Sequence, residues 1–131
     1  MPKADQKKSI QMKTIQLDRD VLHNLYGDCQ ESMIEIFSDF LTDYSETRQT
    51  LLSAFDSGNL LSLKRVLHFH GPCFMYIGLP DVAAAFKTLE KKCLEADNHF
   101  LLSKEFSELI KFIDGGWMIV KNEMECFRKA V

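Results

Sequence analysis

The chain has few of the residues that interrupt helices: 131 residues contain three prolines and six glycines. It also lacks any useful run of period-2 alternation, which argues against a sheet. No stretch approaches the roughly 20 apolar residues of a membrane-spanning helix. There is no C-x-x-C pair; Cys29, Cys73, Cys93 and Cys126 lie far apart within apolar segments. They read as reduced, small hydrophobes of a cytoplasmic protein and not as a disulfide framework. Neither charge sign dominates, with 16 Lys and Arg against 19 Asp and Glu interspersed along the chain. That balance excludes the clustered basic face expected of a nucleic-acid binder. The polar, lysine-rich start has no apolar core of a signal peptide. Residues 1–16 are expected to form a flexible tail, and residues 17–131 a single domain.

What is present is ordinary globular material, 46% hydrophobic and 27% charged, long enough for one core. A short first helix is expected between Asp18 as N-cap and Gly27 as the terminating glycine. Asp28-Cys29-Gln30-Glu31 has the spacing of a capping box opening the next helix. In that segment Ile34, Phe37, Leu41, Tyr44, Leu51 and Phe55 recur at helical spacing, giving an amphipathic helix roughly 40 Å long at about 1.5 Å per residue. Ser57-Gly58-Asn59 supplies a stop and a fresh N-cap. From Leu60 to about Gly78 the stripe is Leu63, Leu67, His70, Phe74 and Ile77. Leu79-Pro80-Asp81 links it to a helix that carries Val82, Phe86, Leu89 and Cys93 inward, with proline in the first turn where its missing N–H costs little. After Asp97-Asn98-His99 a last stripe runs through Phe106, Ile110, Ile113, Trp117, Val120, Met124 and Phe127. It keeps phase across Gly115-Gly116, so one long helix is expected, weakened by about 1 kcal/mol per glycine. The sum is all-α: an up-down four-helix bundle with a short additional N-terminal helix.

The most informative stretch is His68-Phe69-His70-Gly71-Pro72-Cys73. On a strand two histidines at i and i+2 would share a side; on a helix they lie about 200° apart. His70, in phase with Leu63, Leu67 and Phe74, is expected to face the core. His68 falls on the other side, with Lys64 and Arg65 one turn before it and the small or truncated Gly71 and Pro72 one turn after, then Met75. Small neighbours leave its ring open, and the cations can neutralise an anion on it. Pro72 cannot donate to the carbonyl of His68 and presses on it, an irregularity tolerated more readily where function wants it. A zinc site from His68, His70, Cys73 and His99 is opposed by helical geometry, since a helix pair of ligands needs i and i+4. A Cys73–histidine nucleophile pair lacks an orienting partner, and an apolar run raises a thiol's pKa.

These residues resemble the histidine-containing phosphotransfer (HPt) domain of bacterial multistep phosphorelays. The family's signature is H-x-L-K-G, two small residues, a short spacer and G-[AL]. His68 to Gly78 has its ten-residue separation, and Gly78-Leu79 completes it. Phe86-Lys87-Thr88-Leu89-Glu90 looks like the family's following helix, and Ile36-Phe37-Ser38-Asp39-Phe40-Leu41 like its F-L segment. Leu17-Asp18 to Gly27-Asp28 resembles its leading helix, so the likeness covers roughly residues 17–127.

The departures are specific. His70 stands at the family's leucine, Gly71 at its lysine and Pro72 at its first glycine. The lysine helps to hold the phosphoryl group, and such a charge-assisted bond is worth about 1.5–3 kcal/mol. Lys64 or Arg65 is expected to substitute in part, with Lys87 and Lys91 also within reach. The resemblance implies a carrier without turnover of its own. His68, most plainly through Nε2, accepts a phosphoryl group from a receiver domain's phospho-aspartate and passes it to another receiver. It also implies response-regulator receivers and a hybrid sensor histidine kinase as partners, Mg²⁺ on the receiver only and no cofactor on this chain. A monomer is expected, with a docking patch that includes Met75, and neither nucleic acid nor membrane is involved. The alternative is a degenerate module of the same fold that binds signalling partners without phosphotransfer; a small metal-binding helical protein is a third reading.

Overall fold

The computed structural model describes residues 15–130, and all regular structure among them is helical. Helix α1 is Arg19–Tyr26, α2 Gln30–Asp56, α3 Leu60–Tyr76 and α4 Pro80–Glu95. A 3₁₀ turn, His99–Leu102, leads into α5, Ser103–Ala130. Helices α2 to α5 form the up-down bundle: α3 and α4 pair most closely, α2 touches α3 and α5, and α4 touches α5. The short α1 lies against α2 and α3. No helix is long and apolar enough to cross a membrane among the described residues.

The helix boundaries follow from local chemistry. The Asp18 carboxylate accepts from the backbone N–H of Asp20 and Val21, and Gly27 closes α1 at φ 59°, a backbone that side chains disfavour. Asn59 caps α3 by accepting from the Ser62 N–H at 3.0 Å. Pro80 opens α4 at its first turn. The capping box at Asp28 does not form. Helix α2 starts one residue later, after Cys29, with no side-chain cap. The Cys29 N–H donates to the Tyr26 carbonyl, which keeps the link tight and leaves the Asp28 carboxylate in solvent near His23.

The apolar stripes meet inside. Phe37, Leu51, Leu63, Leu67, Phe74, Val82, Phe86, Leu89, Ile113 and Val120 are buried, while Ile34, Leu41, Phe55, Trp117 and Phe127 sit half-buried at the edges. Helix α5 buries a wider face than its stripe, since Leu109 and Phe112 are buried as well. It runs unbroken through Gly115-Gly116, and both positions are close approaches that favour glycine. A Cβ on Gly115 would stand 2.8 Å from Ile15 Cδ1, and one on Gly116 2.9 Å from Leu79 Cδ1. Ile15 is thus packed on the core, whereas residues 1–14 of the expected tail lie outside the described residues.

His70 corrects the core assignment. It is half-buried at the α2–α3 seam and not inside, because the bundle centre at that level is filled by Leu67, Gly71 and Phe74. A polar latch ties α2 to α5 instead. The Tyr44 hydroxyl and the Arg48 guanidinium both donate to the Asp114 carboxylate, the latter at 2.9 and 3.1 Å.

Candidate functional site

The α3–α4 hairpin builds the site. Its apex is held from three sides: the Asp18 N–H donates to the Gly78 carbonyl at 2.7 Å, the Tyr26 hydroxyl donates to the Tyr76 carbonyl at 2.6 Å, and Leu22 packs on Gly78. Gly78 has φ 83°, which only glycine adopts readily, and a Cβ there would stand 2.8 Å from Leu22 Cγ. Antiparallel pairing below the apex sets Gly71 against Phe86 and His68 against Glu90.

His68 is exposed, with 76% of its side chain open, while Glu90 keeps only 19%. The His68 Nδ1 lies 2.9 Å from Glu90 Oε2. A carboxylate can only accept, so Nδ1 carries the proton and donates. In the neutral ring the lone pair is then on Nε2, pointing away from the carboxylate. Beside the ring runs an open groove of about 420 Å³, in which Gly71, Pro72, Met75, Lys87 and Glu90 line the ring's surroundings.

The other expected site residues divide. Gly71 is buried, and Pro72 and Met75 are exposed in the groove. Lys87 lines it too, whereas Lys64, Arg65 and Lys91 do not. Lys64 is half-buried one turn down, beside Cys93. Burial pushes that thiol's pKa up, with Glu90 adding to the rise and Lys64 opposing it. His70 lines a separate groove between α2 and α3 with Asp39, Asp43 and Cys73. Burial there lowers the His70 pKa and raises that of the Cys73 thiol, which makes Cys73 a poor nucleophile. His99 packs edge-on against Phe55 at 5.1 Å and beside Gly58. The four candidate zinc ligands are therefore not brought together, and no group of three or more metal-ligating side chains occurs among the described residues.

Glu90 is the member that sequence reasoning missed. The signal was hairpin register: His68 is eleven residues before Leu79 and Glu90 eleven after it, so equal counts from the turn bring them level. Helical periodicity within one segment cannot show a pairing between two.

No family model matches the chain, and no curated protein or solved structure matches it. The chemistry of His68 rests on its own surroundings. An imidazole fixed at Nδ1 by a carboxylate offers a directed lone pair at Nε2 and a counter-charge for the cation formed when Nε2 takes an electrophile. The small residues beside it leave room for a tetrahedral group.

Proposed function

We propose that this chain is a phosphohistidine carrier of a multistep phosphorelay, with His68 as the phosphoacceptor. One observation carries the reading: the exposed His68 ring is held at Nδ1 by Glu90, which leaves Nε2 open on a groove. Nε2 attacks the phosphorus of a receiver's aspartyl phosphate. The N–P bond forms, the P–O bond to the aspartate breaks, and the carboxylate leaves with the electron pair. No proton has to move, because the ring keeps its Nδ1 proton and becomes a phosphoimidazolium facing the Glu90 carboxylate. Attack by a second receiver's aspartate reverses these steps. The chain positions the ring and balances its charge. Mg²⁺ belongs to the receiver, and the chain works as a cytoplasmic monomer between a hybrid sensor histidine kinase and response regulators. Exposed Met75 and Pro72 offer a small, partly apolar docking patch suited to brief encounters.

A second reading is favoured by Gly71. The position where the resemblance calls for lysine is buried against Phe86 and closed to a side chain. A module of the same fold that binds signalling partners without chemistry would tolerate that loss.

Incubation with phosphorylated receiver domains separates the two readings. Acid-labile, base-stable label is expected on the wild type and on His70→Leu, and none on His68→Gln. Absence of label with every cognate receiver would leave the binding module.

A further inference from the structure

Resting on that reading, we propose that Lys87 is the cation that binds the phosphoryl group carried by His68. Charge balance demands one. A phosphoryl group carries about −1.5 to −2 near pH 7. Glu90 brings a further negative charge within 2.9 Å of the ring, and the phosphoimidazolium offsets only one unit. A cation must stand on the open side, away from Glu90.

Lys87 is the one basic side chain lining the groove that holds His68 and Glu90. It sits three residues before Glu90, on the same side of α4. Ala83 and Ala84, one turn earlier, line the groove with side chains too short to obstruct its stem. Lys64, Arg65 and Lys91 lie outside that groove, and three further cations are engaged elsewhere: Arg19 pairs with Glu123, Arg48 with Asp114 and Lys92 with Glu105. Lys87 is exposed and has no hydrogen-bonding or ion-pair partner among the described residues. Gly71 cannot supply a side chain, because even a Cβ would press on Phe86. The site is thereby assembled across the hairpin, with the nucleophile on α3 and both charged partners on α4.

Phosphoramidate tests this without any partner protein. Nε2 takes its phosphoryl group as the P–N bond of the reagent breaks and ammonia leaves. The ³¹P resonance of phospho-His68 is then titrated with pH in the wild type, Lys87→Met, Lys87→Arg and Lys64→Met. A nearby cation favours the dianion, so its removal raises the phosphoryl midpoint from its value. At about 5 Å in a water-like dielectric the rise is on the order of half a pH unit. That rise is expected in Lys87→Met alone, with Lys87→Arg close to wild type. Label on His68 whose titration ignores Lys87→Met, or shifts with Lys64→Met instead, overturns the assignment and leaves the carrier reading standing. Failure to label His68 at all overturns both.

Discussion

Gly71 packs on Phe86 so closely that an added Cβ would stand 3.0 Å from the Phe86 Cβ. The atom it meets is next to the backbone and cannot swing aside, and the Phe86 ring is itself stacked on Phe74 at 5.0 Å. Gly71→Ala gains about 1 kcal/mol of helix propensity. It loses about 1–3 kcal/mol to overpacking. A net destabilisation of about 1 kcal/mol is expected, seen as a Tm lowered by about 4 °C. Gly71→Lys should cost more, so a lysine at this position would weaken the hairpin instead of improving the site. A melt of Gly71→Ala at or above the wild-type Tm would refute the close packing.

Glu90 is expected to matter for reactivity and little for stability. The histidine it meets is mostly exposed, and such pairs contribute roughly 0–1 kcal/mol. Without the carboxylate the Nδ1 proton is no longer fixed, and the cation that the proposed phosphorylation would form has no counter-charge. Glu90→Ala should slow phosphorylation of His68 by about tenfold or more while melting within a few degrees of wild type. Glu90→Gln, whose amide oxygen still accepts from Nδ1, should fall between the two. Rates with phosphorylated receiver, measured beside thermal melts, check both halves.

The Tyr44–Arg48–Asp114 latch gives stability two pH limits. Burial opposes the Asp114 charge, yet hydrogen bonds from Arg48 and Tyr44 outweigh it and hold the carboxyl below the usual range. Its contribution is present above the unfolded value near 3.9 and is lost as pH falls through the lowered folded value. Tyr44 is shifted the other way, first by burial and then by Asp114. Its contribution is present below about 10 and is lost as pH rises beyond that. Tyr44→Phe should cost about 1 kcal/mol at pH 7 and flatten the alkaline loss. Urea unfolding across pH reads both limits; an unchanged alkaline limb in Tyr44→Phe would count against the latch.

His70 sets a third limit. Burial depresses its pKa, so in the folded state it resists protonation more than in the unfolded chain. Stability is therefore complete above the unfolded value near 6.5 and declines as pH falls below it. Asp39 and Asp43 line the same groove from α2 and are the acidic groups that face the ring from that helix. His70→Leu should show a flatter stability profile between about pH 6.5 and 5. Steeper acid sensitivity in that variant would show that the protonated ring is stabilised by its neighbours.

Much of the fold was legible because it depends on periods within single segments. Val82, Phe86, Leu89 and Cys93 recur at helical spacing and all four are buried. Asp18, Asn59 and Pro80 mark helix starts through local bonds that any context would permit. The failures come from competition between sites. Asp28 has the spacing of a cap, but the tight turn from Tyr26 to Cys29 turns it outward. His70 is in phase with the core stripe, yet Gly71 and Phe74 already fill the centre, so it is pushed to the seam. The His68–Glu90 pair spans two helices, and register across a turn leaves no mark on either periodicity.

The apex of the α3–α4 hairpin is fastened to α1 through Gly78 and Tyr76 and to α5 through Leu79 on Gly116. Anything that meets His68 therefore meets a surface already shaped before contact. Little conformational adjustment is available on this side, so an encounter loses little entropy here and gains little from moulding. If receivers dock here as proposed, discrimination between them is expected to come from their own shape and charge, with a poorly fitting one released quickly.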